Sequence, residues 1–236
     1  MNTSISNHPI LFLDIETVPA YSQYEDLPDK FKKLWNKKAK FLKSDQAQSA
    51  QELYGRAGIY AEFGKIVCIS TGYFHDGKLR LKSYYNHDEK QLLHDFAQML
   101  NKHFNNLNCK LCAHNGKEFD FPYIARRMLI NGIRLPLLLN MAGLKPWEVP
   151  HIDTLEFWKF GDYKNYTSLE LLAAVFDIPT PKDDIDGSMV GQVYYKQNDL
   201  NRIKIYCEKD VITIVQLYRK YHLQELIADE QIIIID

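Results

Sequence analysis

The sequence predicts a mixed α/β fold. Strand patterns come first and include a hairpin, while helical patterns dominate the second half, an order that fits strands packed against helices better than a helical bundle. At 236 residues the chain is most simply one domain, residues 1–236, long enough to bury a sizeable core.

The first strand is expected at residues 10–13, four apolar side chains that run straight into Asp14. KIVCISTGY at 65–73 and LRLKSYY at 79–85 form the next two, joined by FHDGK, whose Asp76-Gly77 is a hairpin turn signal. A helix fits 89–104, where Leu92, Leu93, Phe96, Leu100 and Phe104 recur at three- and four-residue spacing. In CKLCAHN, Cys109, Leu111 and Ala113 alternate with Lys110 and Cys112 like a strand. The Cys109-x-x-Cys112 spacing also suits zinc or redox chemistry, but no second pair or matching histidines follow; buried strand cysteines of a reducing compartment are the plainer reading.

A further helix is expected from about 122 to 131, with Pro122 in its first turn and Gly132 as its stop. Past Pro136, Pro146 and Pro150 come YTSLELLAAVF, a compact helix, and the loop DIPTPKDDIDG. A short helix then leads to a long one, 200 to about 222. Residues 24–64 interrupt this scheme as a helical insertion with seven lysines between 30 and 43. Phe31, Leu34, Trp35 and Leu42 lie roughly on one face there, so the lysines form either a solvated face or a basic flap that meets phosphates.

A formal net charge of −1 excludes a protein that grips nucleic acid by bulk charge; a phosphate backbone would need a local patch or metal ions. The apolar run at 10–13 is too short for a secretory signal, and LPLLL at 135–139 and IIII at 232–235 are too short for a membrane span. A cytoplasmic location is expected, with no membrane and no obligate protein partner.

Acids carry the chemistry. Residues i and i+2 of a strand share a face, so Asp14 and Glu16 are expected to project together from a strand end, with Thr17 and Pro19 marking the exit. Two carboxylates so placed repel unless a proton or a cation separates them, and hard divalent ions such as Mg²⁺ take oxygen ligands. A solvated turn is the alternative. Asp120, in AHNGKEFDFPYIARR, sits before a helix and reads as an N-cap, as a cleft-facing acid, or as both. Tyr206 and Asp210 stack one turn apart on the long helix, among Ile203, Ile205, Val211 and Ile214. The same spacing at Tyr84–Asp88 and Tyr195–Asp199 straddles element ends. Brought together, Asp14, Glu16, Asp120 and Asp210 would hold two divalent ions, the arrangement that clamps attacking and leaving oxygens in phosphodiester cleavage.

FLDIETVP, HNGKEFDFPYIARR and IYCEKDV, in that order, resemble the three exonuclease motifs of the DEDD superfamily, Tyr subclass. They are most similar to stand-alone 3′-5′ exonucleases related to the proofreading domain of family B DNA polymerases, over roughly residues 9 to 222. The resemblance implies a ribonuclease H-like fold, a central mixed sheet with helices on both sides. It implies metal-dependent 3′-5′ cleavage of single-stranded nucleic acid, DNA favoured over RNA, releasing nucleoside 5′-monophosphates. Two cations, Mg²⁺ or Mn²⁺, would be held by Asp14, Glu16, Asp120 and Asp210. Tyr206 would orient the attacking water, being too weak a base at an ordinary phenol pKa of about 10 to activate it. Asn115, Phe119 and Thr17 would bind substrate, Phe119 by stacking.

The polymerase relatives continue into further domains, whereas this sequence stops soon after its third motif, so no polymerase activity is expected. PKDDIDGSMV faintly matches a calcium loop, but Lys182 and Val193 stand where ligands belong, so Asp183, Asp184 and Asp186 read as a turn and helix cap. His151 and Asp153 read as a strand end or helix cap, or as supports of the acid cluster. A non-catalytic nucleic-acid-binding module and a phosphodiesterase for short oligonucleotides are the alternative functions, separable by metal-dependent nucleotide release and a substrate length series.

Overall fold

The computed structural model of the protein describes residues 9–42, 48–162, 164, 166–180 and 185–235. Strand β1 (Ile10–Pro19) pairs antiparallel with β2 (Gly64–His75), which turns into β3 (Lys78–Tyr85). Asp76 and Gly77 make that turn at φ 51° and 73°, the positive values a tight hairpin needs. On the other edge of β1, β4 (Lys110–Ala113) and β5 (Ile152–Asp153) run parallel to it, and β6 (Ile232–Ile235) runs parallel to β3. The sheet order is β5-β4-β1-β2-β3-β6.

The α-helices among the described residues are α1 (Asp29–Ala39), α2 (Glu89–His103), α3 (Asp120–Ile130), α4 (Thr154–Lys159), α5 (Leu169–Val175), α6 (Val190–Gln192) and α7 (Leu200–Tyr221). They cover both faces of the sheet. Leu11, Leu13 and Ile15 of β1 pack with α2 and α3, while Phe12 packs with Val211, Ile214 and Val215 of α7. This mixed sheet between helix layers is the ribonuclease H-like arrangement.

The period of β1 explains its acids. Its even positions read Phe12, Asp14, Glu16, Val18, and all four share the face that α7 covers, since Val18 packs with Ile203 and Cys207. The strand does not end at the acids, as the sequence suggested, but runs on to Pro19 because β2 keeps pairing with it as far as Gly64. One extra residue, Val67, is absorbed in β2 where Glu16 faces Cys68 and Thr17 faces Ile66.

Helix α3 begins at Asp120 with Phe119 as its N-cap, so Asp120 is the first helical residue and not the cap. The four cysteines are free and buried. Cys109 lies in the α2 layer and Cys112 in the α7 layer, so alternation along β4 separates the pair across the sheet.

The insertion has a small core of its own around Trp35, Ala39, Leu53, Tyr54 and Phe63. Only part of the expected face is buried. Trp35 is fully covered and donates to the Ala50 carbonyl at 2.7 Å, whereas Phe31 and Leu34 are 38 % and 42 % exposed. The insertion is bolted to α3: Tyr123 donates to the Gly58 carbonyl at 2.6 Å and Arg127 to that of Ala61 at 2.8 Å. No described helix is long and apolar enough to cross a membrane. Of the residues singled out above, Lys43, Lys182, Asp183 and Asp184 lie outside the described residues.

Candidate active site

The site forms where β1 and β4 part company. Their parallel pairing ends at Phe12 and Cys112, and β4 stops one residue later at Ala113. Beyond that point the exposed edge of β1 meets the N-terminus of α3, and the Asp120 carboxyl accepts from the Ile15 N–H as well as its own. Crevices outside the carboxyl ends of parallel strands are where open α/β sheets bind ligands. Here the crevice is a cleft of about 900 Å³, lined by Asp14, Asn115, Phe119, Asp120, Tyr206 and Asp210 among others.

Between Ala113 and α3 the loop turns sharply. Asn115 takes φ +60°, a left-handed conformation that Asn tolerates, and its carbonyl accepts from the Glu118 and Phe119 N–H groups. Gly116 is needed next, because a Cβ there would overlap the Ala113 side chain and come within 2.9 Å of the Phe121 ring. The loop is held from below by Asp153, which is 2 % exposed and accepts from the N–H groups of Asn115, Lys117, Leu155 and Glu156. Asp153 is thus the cap of α4 and the anchor of the loop at once. His151 is structural: it bridges the Leu111 N–H and the Leu138 carbonyl, and burial pulls its pKa down to about 4.

The acids stand in each other's fields. Burial first, then Asp210, Asp120 and Glu16, push the Asp14 carboxyl well above the usual range. Burial and the charge of Asp210 do the same for Glu16. Asp120 is pushed up to about 7, mostly by burial, against its two backbone hydrogen bonds. Tyr206 contacts Asp210, and burial beside three acids raises its pKa further from neutrality. Among the described residues no ion pair joins Asp14, Glu16 or Asp120 to a lysine or arginine.

The carboxylates of Asp14, Glu16 and Asp120, joined to no lysine or arginine by an ion pair among the described residues, fit divalent metal ions, whose hard charge suits oxygen donors. Among the described residues, Asp14, Glu16 and Cys207 form one candidate donor group, with ligand atoms all within 4.8 Å of one another.

Asp14, Asp120, Tyr206, Asp210, Asn115 and Phe119 therefore share one cleft, with Glu16 beside Asp14 just behind its surface. Thr17 is elsewhere: on the opposite face of β1, its hydroxyl hydrogen-bonded to Tyr123. Cys207, Tyr166, His114, Lys209 and Ser168 also reach this region although the sequence reading did not single them out. Only Cys207 had a local signal, one residue after Tyr206 and among buried neighbours.

A family described as predicted 3′-5′ exonucleases related to the exonuclease domain of PolB matches residues 59–232. The chain belongs to this family. The matched segment carries Asp120, Tyr206 and Asp210, while Asp14 and Glu16 precede it on β1. No curated protein matches the chain. The exonuclease family implies a nucleic-acid substrate and divalent-metal dependence, in keeping with the acid cluster.

Proposed function

We propose that the protein is a 3′-5′ exonuclease of the Tyr subclass that trims single-stranded nucleic acid, DNA in preference to RNA, to nucleoside 5′-monophosphates. The observation that carries this reading is the convergence of Asp14, Glu16, Asp120 and Asp210 with Tyr206 around one cleft of about 900 Å³. The preference for DNA rests on the relation of the family to a DNA polymerase exonuclease domain. Two divalent cations, when bound, would supply Lewis acidity at the scissile phosphate and an activated water.

The remaining chemistry belongs to the chain. Asp14, Glu16 and Asp210 would hold one ion, and Asp120 with Asp14 would help to hold the other. Tyr206 keeps its proton, because burial and its acid neighbours raise its pKa, so it positions a water and is not a base. Phe119 packs against Tyr123 with ring centroids 5.3 Å apart and offers a face for the terminal base, while Asn115 offers its amide at the same wall.

The test uses 5′-labelled single-stranded DNA and RNA of one sequence with Mg²⁺, Mn²⁺ or EDTA, comparing wild type with Asp14→Ala. A ladder shortening from the 3′ end, dependent on metal and absent in the variant, is the expected result. Strands left intact under every metal condition would overturn it. A faster RNA ladder would reverse the substrate preference.

A further inference from the structure

The acid pair on β1 is backed by a sulfur. Cys207 on α7 is fully buried, and its thiol donates to the Asp14 carbonyl at 3.4 Å and to Asp14 Oδ2 at 3.5 Å. Glu16 is 7 % exposed, and among the described residues no hydrogen bond reaches its carboxylate; its electrostatic neighbours are Asp210, Asp120 and the Cys68 thiol. A carboxylate so buried and so bare calls for a cation.

We propose that Asp14, Glu16 and Cys207 form a site for a thiophilic divalent ion, Zn²⁺ above all, which displaces the harder ion of the acid cluster. The proposal rests on the reading of that cluster as a metal centre. Mg²⁺ takes oxygen donors and leaves the thiol protonated against Asp14. Zn²⁺ binds thiolate at about 2.3 Å and carboxylate oxygen at about 2.0–2.2 Å, which puts sulfur and oxygen roughly 3.6 Å apart along a tetrahedral edge. Cys207 Sγ and Asp14 Oδ2 already stand 3.5 Å apart. On binding, the thiol proton passes to solvent and a zinc–sulfur bond replaces the S–H bond; nothing is oxidised or reduced. Asp120 and Asp210 lie outside this three-donor set, so an ion held by the thiol is not shared with those two acids. Zn²⁺ therefore acts as an inhibitor.

Co²⁺ serves as the probe, because its thiolate complexes absorb in the near ultraviolet by sulfur-to-metal charge transfer. It is titrated into metal-free full-length protein kept reduced with a phosphine. Wild type is expected to show the band, Zn²⁺ to remove it, and Cys207→Ser to lack it. Cys109→Ser and Cys112→Ser are expected to keep it. Glu16→Gln retains the thiol and the strand and should weaken Zn²⁺ binding by at least about tenfold, since even outer-shell losses cost about 10- to 100-fold. A wild-type protein without the band, a band that persists in Cys207→Ser, or unchanged binding in Glu16→Gln overturns the proposal. The spectrum is independent of strand cleavage, so failure of this site and failure of the nuclease reading give different results.

Discussion

Asp14 occupies a position that packing alone would give to an apolar residue. Phe12 and Val18 lie on the same face of β1 in buried clusters, and the two acids between them face Cys207 and Asp210. Exchanging Asp14 for Asn keeps the shape and removes one of several repelling buried charges. Asp14→Asn is therefore expected to melt higher than wild type in EDTA while losing cleavage by about 10³-fold or more. A melting curve and a ladder assay check both halves, and a variant that is less stable as well as inactive would point to a merely structural acid. Tyr206→Phe separates a different role. It keeps the ring beside Cys207 and Ile203 and removes only the hydroxyl, so cleavage should fall by about 10²-fold while the metal-induced rise in melting temperature stays as in wild type. At this scale the acids and Tyr206 were legible because strand and helix periods put chemistry-bearing types on one face. Thr17 was not, since the motif that names it says nothing of which face it takes: one residue on from Glu16, the strand turns it toward Tyr123.

Loops and caps decide whether those side chains stay aimed. Asp153 accepts four N–H groups from two segments, so it fixes the Asn115 turn to the start of α4. Asp153→Ala should cost about 0.5–2 kcal/mol through the lost cap alone, and the freed loop N–H groups add to that. The expected kinetic signature is a loosened substrate wall, seen as a higher KM for the 3′ end with metal binding intact. The insertion makes a second element-scale prediction. Lys33 and Lys37 are exposed on α1, Lys32 donates to the Glu25 carbonyl, and Lys38 sits 4.2 Å from the centre of the Tyr60 ring. If this face tracks the substrate strand, replacing all four with Gln weakens single-strand binding and lowers its salt slope by about 0.7 for each phosphate no longer neutralised. Unchanged affinity and slope would leave the lysines as a solvated face. β2, β3, β4, α2 and α7 were legible within a residue or two from periodicity and turn chemistry, whereas the short β5, β6 and α4 were not expected from the sequence. The misplaced boundaries, the end of β1 and the start of α3, were set by pairing with β2 and by the Asn115 turn, which are interactions between distant segments. The bolts that hold the insertion to α3, Tyr123 to Gly58 and Arg127 to Ala61, left no local signal for the same reason.

At the scale of the whole molecule, cavity size does not find the site. A cavity of about 980 Å³, lined by Pro9, Lys102 and Tyr218 among others, is larger than the acid cleft, but its one acid is Asp95. What distinguishes the cleft is charge that the fold holds against its own stability, and that has a thermodynamic consequence. Burial pushes Asp120 up to about 7, and Asp14 and Glu16 are raised well above the ordinary value of about 4. A carboxyl whose folded pKa exceeds its unfolded one binds protons in the native state that the unfolded chain has released. Its contribution is therefore full at low pH and is lost as pH rises through the folded pKa. Two histidines pull the other way at the acid end: burial lowers His114 and brings His151 down to about 4, so their protonation favours unfolding below the ordinary histidine value of about 6.5. Above the ordinary histidine value the unfolded chain loses these protons too, so the opposing contribution fades over about one pH unit and the raised carboxyls set the sign. In EDTA the melting temperature is thus expected to fall between about pH 6.5 and 8, and Asp120→Asn to flatten that fall. Mg²⁺ or Mn²⁺ should reverse it, because a cation binds the ionised acids and its stabilisation grows as they lose protons. Melting curves over this range, with and without metal, carry the sign: a metal-free protein that gains stability with pH, or a metal effect indifferent to pH, would mean that these acids are not the charge the cleft is built around.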